Sequence, residues 1–264
     1  MNQTTIGRSL LTLALGVSLA ACGGAAGQDD ESSEANTSTT QASAVEYMIT
    51  KPLASTDPAT AAANLQADNQ WWPAGCVTRV KDASQPIVTL TLNNCTGPFG
   101  LVKWSGTVTV TFSKNGDGSL NAKATSNNMT ANGSPATFTM DRNITLTPGS
   151  ASREVKGSTT WQRTTANGVQ VNHTANWTAT VDATTRCRTV NGSGVTTVGG
   201  ASVTTAAKDY KVCRPNGVDQ CPTGSLSHTT ASGTGSVTVT FDGSNQATVT
   251  GPRGTRQVGL VCGQ

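Results

Sequence analysis

From Trp71 onward, apolar and polar residues alternate with a period of two. Over 169–181, Val169, Val171, His173, Ala175, Trp177, Ala179 and Val181 share one side. Gln170, Asn172, Thr174, Asn176, Thr178 and Thr180 share the other. Ala136, Phe138, Met140, Ile144 and Leu146 align over 136–146, with Arg142 as the charged exception. Val102, Trp104, Val108, Val110 and Phe112 align over 102–112, opposite Thr107, Thr109 and Thr111. Val155 and Trp161 share a side of 153–163, and Val237, Val239 and Phe241 repeat the theme. This alternation predicts antiparallel strands with one buried and one solvated face.

Turn residues separate the runs: Asn115-Gly116-Asp117-Gly118, Asn132-Gly133, Pro148-Gly149, Asn167-Gly168, Gly199-Gly200 and Asp242-Gly243. Asn-Gly and Asp-Gly are preferred hairpin turns. The expected fold is all-β: a large antiparallel meander of roughly ten to twelve strands, curled or closed as a shallow barrel. One short helix is predicted over 58–67. Thr56 or Asp57 can cap it, Pro58 suits its first position, and Ala59, Ala61, Ala62, Ala63 and Leu65 favour helix.

Composition sharpens this picture. Val, Leu, Ile and Phe make up only 45 of 264 residues, and Thr, Ser, Asn and Gly replace them. Thr is β-branched and suits strands. Net charge is only +3, so the thin apolar supply does not imply disorder. Charge is uneven. Asp29, Asp30, Glu31, Glu34 and Glu46 fall within 23–46 without a Lys or Arg, and the basic excess lies beyond Tyr47. Residues 23–45 are small, polar and aperiodic, which predicts a flexible tether.

The N-terminus carries Arg8, then an apolar run from Leu10 to Leu19, too short for a spanning helix. With small residues before a cut site, this is the pattern of a secretory signal. Leu19-Ala20-Ala21-Cys22 resembles the lipobox of bacterial lipoproteins. The resemblance covers residues 1–22. It implies export, cleavage before Cys22 and acylation of that cysteine, hence attachment to a membrane of the bacterial cell envelope. Gly23, rather than Asp, points within that resemblance to the outer membrane. The expected organisation is a signal over 1–21, an acylated cysteine and tether over 22–50, and one all-β domain over 51–264 with strands from about residue 74.

Six further cysteines remain: Cys76, Cys95, Cys187, Cys213, Cys221 and Cys262. An even set in an exported chain reads as disulfides. Cys76 and Cys95 are symmetric about the turn at 82–86, and Cys187 and Cys213 about Gly199-Gly200. Each pair can lie across one hairpin. Cys221 and Cys262 would sit three strands apart, roughly 14 Å on a flat sheet, so their pairing requires curling. The rival scheme joins Cys213 to Cys221 and Cys187 to Cys262.

Candidate chemistry is sparse. His173 falls on an apolar face and reads as a satisfied core residue; His228 reads as exposed strand. No Gly-x-Ser-x-Gly motif or Cys-x-x-Cys pair occurs. Asn115–Ser119 faintly resembles a calcium loop but reads as turn chemistry. Arg186, Arg188, Lys208, Lys211 and Arg214 gather near Cys187 and Cys213 as a candidate anion-binding rim. The expectation is a non-enzymatic, monomeric envelope protein with a structural or binding role. It needs no cofactor or metal, binds no nucleic acid, and has anionic envelope polymers as candidate partners. The alternative is a carrier holding a lipid-like ligand between Trp104, Phe112, Phe138 and Trp177. An uncharacterised hydrolase is the second alternative.

Overall fold

A computed structural model describes residues 55–65, 71, 73–96, 103–146, 152–165, 167–182, 184–213, 215, 220–231, 235–260 and 262. The signal, Cys22 and the tether lie outside these. One helix, α1 (Pro58–Asn64), precedes thirteen strands: β1 (Val77–Lys81), β2 (Ile87–Thr96), β3 (Lys103–Lys114), β4 (Leu120–Ala131), β5 (Ser134–Leu146), β6 (Ser152–Thr164), β7 (Gln170–Asp182), β8 (Cys187–Val198), β9 (Ala201–Cys213), β10 (Thr223–Thr230), β11 (Val237–Asp242), β12 (Gln246–Gly251) and β13 (Gly254–Gly259). They form one sheet in strictly sequential antiparallel order. β1 and β13 each pair on one side only, so the sheet is open and not a barrel. The count of thirteen lies one above the expected range.

Local chemistry explains the elements. Asp57 Oδ1 accepts from the Thr60 amide at 2.7 Å, and Pro58 opens the helix. α1 ends at Asn64, short of the expected 67, where Leu65 turns to extended backbone. It packs on β3 through buried Ala61 and Ala62. The Arg79 guanidinium donates to the Ala62 and Ala63 carbonyls, satisfying its last turn. The tight hairpin between β4 and β5 has Asn132 and Gly133 at φ of 52° and 81°, the geometry of a type I′ turn.

The sheet buries one face and curls around it. Trp104 on β3 and Trp161 on β6 meet edge-on, with ring centroids 6.2 Å apart. Flat strands three steps apart would lie about 14 Å from each other. Two glycines make room for the bend. Gly157 on β6 and Gly192 on β8 flank Trp177 of β7 in one cross-strand row. Their φ values are 152° and 141°, and a Cβ on either would run into backbone, at Asp141 or Asn176.

The buried face divides into two apolar clusters. The larger runs from α1 and β1 to β7 and includes Trp104, Phe112, Phe138 and Trp161. The smaller joins Ala207, Leu226, Val239, Phe241, Ala247 and Val249 of β9–β12. Between them, buried polar residues (His173, Thr196, Thr205 and Thr230) form a seam.

All three disulfides follow the symmetric scheme; the rival scheme is excluded. Cys76–Cys95 and Cys187–Cys213 each tie one hairpin, and Cys187 faces Cys213 directly. Cys221–Cys262 brings Cα atoms before β10 and after β13 to 5.0 Å. This pair closes the curl over the smaller cluster, against which Leu260 packs.

Peptide mapping without reduction will recover these three pairs. Replacing Cys221 and Cys262 together with Ser lowers the unfolding free energy by about 4 kcal/mol, the value for so long a loop, measured by urea titration. Gly157→Ala lowers it by about 3 kcal/mol, because both conformation and space forbid the methyl group.

Candidate functional site

The four rings expected to line a ligand site are part of the packing. Trp104, Phe112 and Phe138 are 2 %, 1 % and 1 % exposed within the larger cluster. Trp177 is half-buried against the smaller one, so the four are divided between two cores. Phe138 lies opposite Trp161 across β5 and β6. The basic rim also separates. Arg188 shares the inner face with Val181, its partner across β7. Lys208 and Lys211 stand on the outer face, and Arg186 is in a turn at φ 53°. Arg214 is outside the described residues.

Carboxylates serve turns. Asp117 Oδ1 accepts from the Ser119 amide at 2.9 Å and its hydroxyl at 2.6 Å. Asp82 holds Ser84 and Gln85 in the same way, and Asp182 holds Thr184 and Thr185. These hydrogen bonds favour the ionised forms and lower all three pKa values. The Asp117 carboxylate is therefore taken up by the turn from Asn115 to Ser119. No group of three or more His, Cys, Asp or Glu suited to a metal ion occurs among the described residues.

The inner face has a different electrostatic character. Arg142, fully buried on β5, donates to Thr159 Oγ1 at 2.6 Å and to its neighbour's carbonyl at 3.4 Å. Arg153 and Arg163 of β6 and Arg188 of β8 stand on this face too. The described Asp and Glu residues lie in turns, at the helix start or on the outer face. His173 on β7 is 0 % exposed, and its Nδ1 meets Thr196 Oγ1 at 2.9 Å. Its Nε2 has no partner, nor has Nε1 of Trp161, the residue opposite. His173 is thus half satisfied, not fully. Burial pushes its pKa down to about 4. A threonine hydroxyl, rather than a carboxylate, contacts this ring, so nothing raises its basicity toward that of a catalytic base.

His228 corrects the expectation of an exposed strand residue. It is half-buried on β10, with Nδ1 3.0 Å from Thr205 Oγ1, and burial lowers its pKa. Alternation along β10 sets it on the side of buried Leu226 and Thr230.

The outer face carries a feature that single-strand reading misses. Thr89, Thr109, Thr125, Thr139, Thr160 and Thr174 face one another in succession from β2 to β7. Val195, Thr204 and Thr229 extend the row to β10, and Val80 begins it on β1. Val80 and Val195 are 68 % and 39 % exposed. The signal was present as Thr-x-Thr spacing in several strands, but only the register aligns it. Near one end of this face lies a polar cleft of about 540 Å³ lined by Asn115, Asp117, Ser119, Asn143, Thr145 and the Glu154–Lys156 pair. Asn115 Nδ2 donates to Ser119 Oγ and Asn143 Oδ1, at 2.8 and 2.9 Å. Asn121 Nδ2 donates to Asp141 Oδ1 at 2.6 Å. Such a surface offers hydroxyls, amides and methyl groups, a chemistry of many weak contacts.

No protein-family model, curated protein or solved structure matches this chain.

Because the nominated rings are packed within the protein, Trp104→Ala and Phe138→Ala each cost about 3–5 kcal/mol in urea unfolding. The loss is the same with or without added fatty acid.

Proposed function

We propose that this chain is a non-enzymatic protein of the bacterial envelope, anchored through acylated Cys22, that uses its outer threonine face to bind a hydroxyl-rich polymer. The observation that carries the reading is the cross-strand row from Thr89 to Thr229. Hydrogen-bonded strands hold these side chains about 4.8 Å apart across the sheet and about 6.7 Å along it. Each threonine supplies one donor, two acceptor lone pairs and a methyl group. A polysaccharide presents the complementary hydroxyls and C–H surface.

Charge on this face nearly balances. Lys103, Lys123, Lys156, Lys208 and Lys211 are set against Asp141, Glu154, Asp182 and Asp209. Binding therefore rests on hydrogen bonds more than on net charge, and a neutral envelope glycan fits better than a purely anionic one. The acidic stretch within 23–46 spaces the sheet from the lipid surface in this reading.

Two measurements test it. Radiolabelled palmitate labels the wild-type chain and leaves Cys22→Ala unlabelled and soluble; equal labelling of both removes the anchor. Full-length Cys22→Ala co-sediments with insoluble envelope polysaccharide. Thr139→Ala combined with Thr174→Ala weakens this several-fold while leaving the unfolding midpoint nearly unchanged, since both sites are exposed. Binding that disappears in salt and ignores the threonines assigns the interaction to charge instead.

A further inference from the structure

The seam between the two apolar clusters holds an imidazole whose described neighbours are neutral or cationic. On β8, Thr196 meets His173 Nδ1, and the Gly194 backbone comes so close that a Cβ there would be 3.0 Å from the ring. On β6, Trp161 and Thr159 face it. Arg163 lies along the same face with its guanidinium 5.5 Å from the Trp161 ring centre. From β5, Arg142 reaches Thr159. Beyond β8, the facing groups are Thr205 and the second imidazole, His228. Every described carboxylate is in a turn, at the helix cap or on the opposite face. Ala175 and Val203, also buried here, belong to neither cluster.

We infer that the His173–Thr196 contact is an acid-operated latch: a proton added to His173 opens the seam between the two clusters. The neutral ring needs one partner and has it. The imidazolium carries a second N–H, at Nε2, which has no acceptor, and its charge joins those of Arg142 and Arg163 on a face where none of the described carboxylates stands. Hydrating that N–H requires water to enter between β6, β7 and β8. Trp161, whose Nε1 is equally unpartnered, faces His173 across β6 and β7.

The sign follows from linkage. The folded imidazole titrates near 4, below its ordinary 6.5, so the unfolded chain takes the proton first. Stability is therefore complete above about pH 6.5 and declines as pH falls toward 4, the unfolding constant rising about tenfold per unit. His228, shifted in the same direction, adds to the decline. The turn carboxylates titrate lower still, so the range from about 6.5 to 5 belongs to the histidines.

The test is urea unfolding of full-length Cys22→Ala at pH 7 and pH 5, alone and with His173→Gln or His228→Gln. The parent's unfolding constant rises about 20-fold more than that of His173→Gln between the two pH values. Parallel pH profiles for these two overturn the proposal. Hydrogen exchange on the parent provides a readout that needs no variant to fold. At pH 5, amides of β7 to β10 lose protection together before those of β2 to β5. Uniform loss, or a His173 ring signal that titrates above pH 6 in the folded protein, overturns it equally.

Discussion

A lone sheet has one face to hide and only itself to hide it against. Among the described residues the helix is a single short element, so burial of Trp104, Phe138 and Trp161 depends on the sheet bending until strands three places apart share contacts. The bend requires positions without side chains, which Gly157 and Gly192 supply on either side of Trp177. It also requires the distant end to be drawn in, which Cys221–Cys262 achieves. The hydrophobic effect supplies the drive. The glycines and the disulfide decide where it can act.

Much of this was legible because period-two alternation and hairpin turns are local signals. The long strands around Val110, Phe138 and Ala175 stand where the pattern places them. Two disulfides could be read from symmetry about a turn, since facing positions in a hairpin sum to a constant. The small departures come from bulges: the β8–β9 register slips by one between Val190 and Gly192. What was not legible depends on the curl. Alternation does not say how far a sheet bends, so it left the Cys221 partner open. The threonine row needed nine registers at once, although each strand advertised its own share.

Most arginines and lysines of the long central strands have separated onto opposite sides. Arg142, Arg153, Arg163 and Arg188 occupy the inner face, while Lys123, Lys156, Lys208 and Lys211 stand outside. A planar guanidinium keeps its charge when half-covered and accepts hydroxyl and ring neighbours, as Thr159 and Trp161 show. An ammonium is more strongly hydrated and stays in water. The +7 excess beyond residue 46 is thus not displayed as a basic patch, because much of it is turned inward.

The open sheet has one more consequence, at its two rims. An unpaired strand is a template on which another copy could lengthen the ladder, and thirteen strands with two bare margins invite fibre growth. Both margins are short, six residues at most. One carries Lys81 and the other Arg256, so a head-to-tail join would bring cations together at every junction. Crowding of many such chains then need not end in aggregation, since the margins repel one another before backbone hydrogen bonds can form.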